Sequence, residues 1–234
     1  MLTIAIAELK MLLRNRLVAL CAVAIPLIFG VIFMLNQTAG AEGTVATLQI
    51  IAMAGIGLYV SATTTLAGRR QTLFLKRLRS GAISDRSILG GLVAPLVLVN
   101  VVQIVAVLIV LIVRGGELPQ QPWWLVLALL GTEAMFAGFA LATAGVTNSP
   151  EHAQFTTLPV FFATLAIAFW VISTGFNDLG LVKRLLPGGG TADLTMAAWS
   201  GDLDGVVPAL VGLVGWAVVA ALAARVMFRW EPRV

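Results

Sequence analysis

The sequence is poor in the residues that form disulfides, metal sites and charged surfaces. It has one cysteine, Cys21, and one histidine, His152, so it can form no disulfide within the chain and cannot assemble the usual cluster of zinc ligands. The Gly-x-Ser-x-Gly and His-Glu-x-x-His signatures of hydrolases are also absent. With 59% hydrophobic and 11% charged residues, the composition is far from that of a soluble domain.

The phosphate-binding loop of ATPases is missing as well. That loop requires a lysine directly after a glycine, whereas each lysine of this chain (Lys10, Lys76 and Lys183) follows another residue type. We therefore expect that the chain does not hydrolyse ATP itself. We also expect no catalytic residue, metal or cofactor within it.

Six long apolar runs, separated by short polar connectors, make up most of the chain. About 20 apolar residues cross the hydrocarbon core of a bilayer, and backbone groups in lipid must be satisfied within each segment, so each run predicts a transmembrane helix. We expect an all-α integral membrane protein with a single six-helix domain over residues 1–234. The predicted spans are residues 17–35, 45–67, 88–113, 123–146, 156–175 and 206–228.

Positive charges are concentrated on alternate connectors. If the N-terminus is cytoplasmic, twelve of the 15 lysines and arginines lie on the inner side, and only Arg114, Lys183 and Arg184 lie outside. This bias predicts a multi-pass protein of the cell membrane with both termini in the cytoplasm. The net charge of +4 is then explained by topology and anionic inner-leaflet lipid rather than by a nucleic-acid partner.

Residues 1–16 have the spacing of an amphipathic helix. Apolar residues recur at i, i+3, i+4 and i+7, while Glu8, Lys10 and Arg14 lie on the opposite side and Arg16 is an exception. The pattern predicts a helix in the cytoplasmic membrane interface. The alternative is an extended start of the first span, with its charges snorkelling to water.

The connector between the second and third predicted spans is strongly basic. It has helical spacing up to a stop at Ser80–Gly81, because glycine suits the residue just past a helix end. Ser84, followed by an acidic residue, predicts the N-cap of the third span. The residues of interest in the short helix are Leu75, Lys76, Arg77, Leu78 and Arg79.

Glu133 is the only ionisable residue deep within a predicted span. Such a residue normally faces the bundle interior or water. One interpretation is a proton or cation site, or a part of the substrate path, together with Asn100 and Gln103. The other is a protonated carboxyl that joins helices through a hydrogen bond to one of those amides.

The connector of residues 176–205 is the longest on the predicted outer side. Thr191 is expected to cap a short helix over residues 192–199, which is too short to cross the bilayer. The segment either lies on the outer surface or enters the membrane as a re-entrant hairpin, and both alternatives are open at this point.

The order of these parts resembles the type 2 permeases of ATP-binding-cassette exporters, the daunorubicin-resistance permease group in particular. Three stretches carry the resemblance: residues 8–16, 75–84 and 147–159. They match the family's interface helix, its coupling helix and the segment that opens the fifth span. Ser173–Gly175 departs from the family, which often has a Ser-Gly pair at that place.

The resemblance implies that residues 75–84 dock on a separate ATPase subunit, which binds ATP and Mg²⁺. It also implies a second permease chain, as a homo- or heterodimer, and outward transport of an amphipathic drug, lipid or lipid-linked compound. Two other functions stay open, a proton-coupled secondary transporter that uses Glu133 and a membrane scaffold or immunity protein. For the basic connector, topology and lipid contact alone are the simpler alternative.

Overall fold

The computed structural model describes residues 6 and 14 individually and the ranges 24–35, 40–80, 84–114 and 116–230. Every regular element in these ranges is helical, which confirms the all-α prediction. Five of the described helices are long and apolar enough to cross a membrane, and they indicate a multi-pass membrane protein. The helices are α1 (Ile25–Leu35), α2 (Glu42–Gln71), α3 (Phe74–Arg79), α4 (Asp85–Val113), α5 (Pro122–Val146), α6 (Pro150–Thr174), α7 (Gly180–Leu185), α8 (Gly189–Ser200) and α9 (Val206–Met227).

Five of the predicted spans correspond to α2, α4, α5, α6 and α9, and the largest difference in bounds is at the start of α6. The prediction began at Thr156, whereas the helix begins at Pro150. The Oγ of Ser149 accepts a hydrogen bond from the backbone N–H of His152 at 3.4 Å. Because of this cap, residues 151–154 belong to the start of the helix rather than to a loop.

The first predicted span is only partly described. α1 is 11 residues long, and residues 17–23 of that span lie outside the described residues. The interface-helix residues Glu8, Lys10 and Arg16 also lie outside them, while Arg14 is described as an exposed helical residue. The first predicted span, and with it a total of six spans, therefore stays a prediction, as does the cytoplasmic position of both termini.

Helix α2 lies at the centre of the bundle, where α1, α4, α5, α6 and α8 pack around it. Its middle, Ala54–Val60, is a π-helix, a wider turn that often marks a functional site. At Gly55 a Cβ would lie 2.3 Å from the ring of Phe161, so glycine permits the close approach of α6. Further along α2, the hydroxyl groups of Tyr59 and Thr143 form a 2.8 Å hydrogen bond to α5. α2 is thus held on two sides in its middle, by α6 and by α5.

The most extensive contact between two helices joins α5 and α9. Gly131, Gly138 and Gly145 recur every seven residues along α5, and a Cβ on each would lie 2.4, 2.8 and 2.0 Å from an atom of α9. Their partners on α9, spaced in the same way, are Leu213, Ala220 and Met227. A seven-residue repeat keeps two helices in contact over many turns, so the pair runs side by side in the same direction.

Residues 176–205 form a helical hairpin that enters the bundle from the end opposite α3. A Cβ at Gly188, in the turn of the hairpin, would lie 2.4 Å from the carbonyl oxygen of Thr164 in α6. Thr164 is ten residues, or about 15 Å, from the end of α6. The turn therefore reaches the middle of the bundle, and this favours the re-entrant alternative over the surface one.

The start of α8 differs from the prediction. The helix begins at Gly189, so the predicted cap at Thr191 is wrong, and Gly188 precedes it with a φ of 92° that suits glycine. The hydroxyl of Thr191 instead shares a 2.8 Å hydrogen bond with that of Thr132 in α5. This bond joins the deepest part of the hairpin to the middle of α5.

The glycine stripe on α5 gives a test of this packing. We expect Gly138→Val to destabilise the protein, because a Cβ there would lie 2.8 Å from the Cβ of Ala220 and the side chain has no room. Overpacking of this kind costs about 1–3 kcal/mol, which is measured as a lower melting temperature of the purified protein in detergent. Gly215→Val on α9 is the matched control, since nothing lies within 4 Å of a Cβ at that position. Equal melting temperatures for the two variants would contradict the α5–α9 contact.

Candidate functional site

A sharp break in the chain separates α2 from α3. Leu73 has a φ of 57°, in the left-handed region that leucine rarely adopts. The backbone therefore leaves the axis of α2 at this residue and starts a new helix at Phe74. We call α3 (Phe74–Arg79) the elbow, and the end of the bundle that carries it the elbow end.

The elbow has one buried and one exposed side. Leu75 is fully buried in the core cluster formed by α2, α4 and α5, and Leu78 is partly buried against the same cluster. A helix of six residues is not stable by itself, so the burial of Leu75 is what holds the elbow in place. The exposed residues of the elbow are Lys76, Arg77 and Arg79.

Two cation–π contacts flank the elbow. The Arg69 guanidinium lies 4.7 Å from the ring centroid of Phe74, and that of Arg79 lies 5.1 Å from the ring of Trp230. Arg79 also pairs with Asp85 at 3.4 Å, but both side chains are exposed and such pairs contribute little. The elbow therefore contacts the end of α2, the start of α4 and the segment that follows α9.

Arg70 is the most unusual residue at the elbow end, because it is a large cationic side chain that is 2% exposed. Its Nη1 donates a hydrogen bond of 2.9 Å to the carbonyl oxygen of Gly145, and its Nη2 donates one to the carbonyl oxygen of Thr147. The last carbonyl groups of a helix lack partners within the helix and favour a positive charge. Arg70 thus caps the C-terminus of α5 and joins it to the end of α2, directly before the elbow.

Ser84 was predicted to take part in docking together with the elbow residues, but its hydroxyl caps the helix that follows the elbow. The Oγ of Ser84 accepts a hydrogen bond from the backbone N–H of Ser87 at 3.4 Å, which confirms it as the N-cap of α4. Residues 81–83 between it and the elbow are outside the described residues.

Of the three polar residues singled out within the predicted spans, Asn100 and Glu133 are in direct contact. Asn100 Nδ2 donates a 2.5 Å hydrogen bond to Glu133 Oε1, which joins α4 to α5. Gln103 is also buried and lies one turn further along α4. Of the two amides expected beside Glu133, Asn100 is the one that bonds to it.

The hairpin contains buried charges that the sequence did not single out. Lys183 is 1% exposed, and its Nζ donates to Thr174 Oγ1 at 2.8 Å and to the carbonyl oxygen of Gly175 at 2.6 Å. Arg184 pairs with Asp193 of α8 at 2.7 Å, across the two arms of the hairpin. The sequence feature that could have predicted this ion pair is Asp193, because it is an acid within an otherwise uncharged helix.

The described part of the chain brings together no group of three His, Cys, Asp or Glu side chains that could hold a metal ion. No protein-family model matches the chain, and no curated protein matches it.

Arg70 allows a test of the elbow end. We expect Arg70→Met to lower stability by about 2 kcal/mol or more, since the carbonyl oxygens of Gly145 and Thr147 lose charged donors in a buried place. The change is measured as a lower melting temperature in detergent. Arg86→Met, at an exposed arginine of the same end, is the control and should melt like the unmodified protein. An unchanged melting temperature for Arg70→Met would show that the two hydrogen bonds do not hold α5 to α2.

Proposed function

We propose that this chain is the membrane-spanning permease subunit of an exporter, and that a separate ATP-binding-cassette subunit hydrolyses the ATP that drives transport. The observation that carries the proposal is the elbow, a short basic helix anchored by a buried leucine with its cations facing outward. The absence of a phosphate-binding loop from the sequence agrees with an ATPase on another chain. ATP and Mg²⁺ belong to that partner.

The charge and rigidity of the elbow suit a docking element. Lys76, Arg77 and Arg79 present three positive charges on one short helix. Complementary charge on a partner speeds its approach and fixes its register. The elbow therefore suits an acidic cleft on the ATPase subunit, while Leu75 stays in the permease core.

The contacts of the elbow end suggest how a movement of the elbow reaches the spans. Arg70 ties the end of α2 to the connector between α5 and α6, and Arg79 lies on Trp230 beyond α9. Packed helices respond to such a displacement as rigid bodies rather than by bending continuously. Closure of the ATPase subunits would thus shift α5, α6 and α9 together and open an outward path.

The finer parts of the proposal rest on the resemblance to type 2 exporters. They are a second permease chain, with the path between the two copies, and an amphipathic drug, lipid or lipid-linked compound as cargo. They also include the cell membrane as location, with both termini in the cytoplasm, in agreement with the bias of positive charges.

The docking role of the elbow is tested by charge reversal. We expect Arg77→Glu to abolish co-purification with the ATPase subunit and the ATP hydrolysis of the complex, because it places a negative charge against an acidic cleft. Arg114→Glu, at an exposed arginine of the opposite end, is the matched control and should retain both. The measurement is affinity purification of the tagged chain from membranes of its source organism, followed by a vanadate-sensitive ATPase assay.

Two results would contradict the proposal. One is an ATPase subunit that co-purifies equally with Arg77→Glu and the unmodified chain. The other is uphill transport by the purified chain alone in vesicles without nucleotide.

The proposal also requires the elbow to face the cytoplasm. In a Cys21→Ser background, Ser80→Cys should react with a membrane-impermeant maleimide only after the cells are permeabilised. Asp178→Cys, an exposed position in the connector before α7, should react in intact cells. The reverse pattern would place the elbow outside the cell and remove it from any cytosolic ATPase.

A further inference from the structure

We propose that Asn100 and Glu133 form a proton-binding site inside the bundle, in which one proton on Glu133 Oε2 completes a neutral acid–amide pair. The pair joins α4 to α5 through the 2.5 Å hydrogen bond from Asn100 Nδ2 to Glu133 Oε1. The two side chains are 1% and 2% exposed, so neither reaches water in this conformation.

The surroundings of the pair are uncharged on both sides along the bundle axis. Gln103, a buried amide, lies one turn away on α4. The buried apolar residues one turn away belong to two hydrophobic clusters, one toward the hairpin and one toward the elbow end. They are Leu129 and Ile104 on the first side, and Phe136 and Leu96 on the second. An ionised carboxylate in such a place would need a partner of opposite charge.

No such partner is present among the described residues. The helices that contact α5 are α2, α4, α6, α8 and α9. Tyr59 of α2 is bonded to Thr143, and Asp193 of α8 is paired with Arg184. The remaining titratable or charged groups on these five helices lie near helix ends and form no described bond with Glu133; they are Glu42, Arg69, Arg70, Asp85, Arg86, Glu151, His152 and Arg225.

The acceptors that receive no hydrogen bond indicate where the proton binds. A carboxylate only accepts hydrogen bonds. Glu133 Oε2 and Asn100 Oδ1 are both buried and receive none, so the ionised form leaves two acceptors without a donor. A proton on Glu133 Oε2 makes that oxygen a donor. The remaining acceptor without a donor is then Asn100 Oδ1. An amide and a carboxylic acid can then bond twice, each as donor and acceptor.

The chemistry of the site is the transfer of one proton from hydronium to Glu133 Oε2: an O–H bond of hydronium breaks, an O–H bond forms on the carboxyl, water is released, and the charge of the pair changes from −1 to zero. A glutamine at position 133 would mimic the protonated form, because its amide donates and accepts in the same places. Proton binding in this conformation is independent of what powers transport. It can therefore be tested on the chain without any ATPase.

The test is infrared spectroscopy of the purified chain in lipid vesicles at neutral pH, with isotope-labelled glutamate to identify the carbonyl band of a protonated glutamic acid. We expect one such band per chain, its loss in Glu133→Gln, and its retention in Glu117→Gln, at an exposed glutamate. Asn100→Leu should shift the frequency of the band, because the carboxyl loses its partner. We also expect Glu133→Gln to keep the melting temperature of the unmodified protein.

A wild-type spectrum without the labelled band would overturn the proposal, and so would a band that persists in Glu133→Gln. If that variant does not fold, the proposal also fails, because an isosteric neutral side chain should fit the site. None of these results depends on the elbow or on an ATPase, so failure here is distinguishable from failure of the proposed function.

Discussion

The backbones of α5 and α9 come into contact because three glycines, spaced by seven residues, remove the side chains between them. Helix association within a membrane lacks a hydrophobic driving force and depends on close packing of small residues. This contact sets the position of the other elements, since the hairpin helix α8 packs on both α5 and α9. At the elbow end of α5, Arg70 donates a hydrogen bond to the carbonyl oxygen of Gly145, the last of the three glycines.

The elbow combines two kinds of residue that serve separate purposes. Leu75 is fully buried and fixes the helix to the bundle, whereas the exposed cations contribute little to stability and lie on the outer side of the elbow. Arg70 differs from them because it is buried and bonded to backbone carbonyl oxygens. Adjacent arginines in the same basic connector thus have different roles, with Arg70 inside the protein and Arg69 partly exposed beside Phe74.

Buried polar side chains in this protein differ in how completely they are hydrogen-bonded. This difference separates side chains that stabilise the fold from a pair that could bind a ligand. Lys183 and Arg184 have acceptors in or near the hairpin, so they stabilise its arms. Thr132 and Thr191 share one hydrogen bond between α5 and α8. Among the residues that the structure describes, only the Asn100–Glu133 pair combines an ionisable group with unsatisfied atoms on both side chains. That incomplete bonding is the reason to assign a ligand, the proton, to this pair and not to the others.

The sequence by itself determined the helical class, five of the predicted spans within a few residues and the basic helix between the second and third of them. Run length, charge and capping residues are local signals, and they identified Ser84 as the N-cap of α4, although the cap predicted at Thr191 is wrong. The sequence also offered, as one of two interpretations, a hydrogen bond between Glu133 and an amide of another helix. Only the tertiary structure decided which amide, which arginine is buried, and that residues 176–205 turn into the bundle. The physical reason is that these outcomes depend on which helix faces lie opposite each other, and that relation joins residues far apart in the chain.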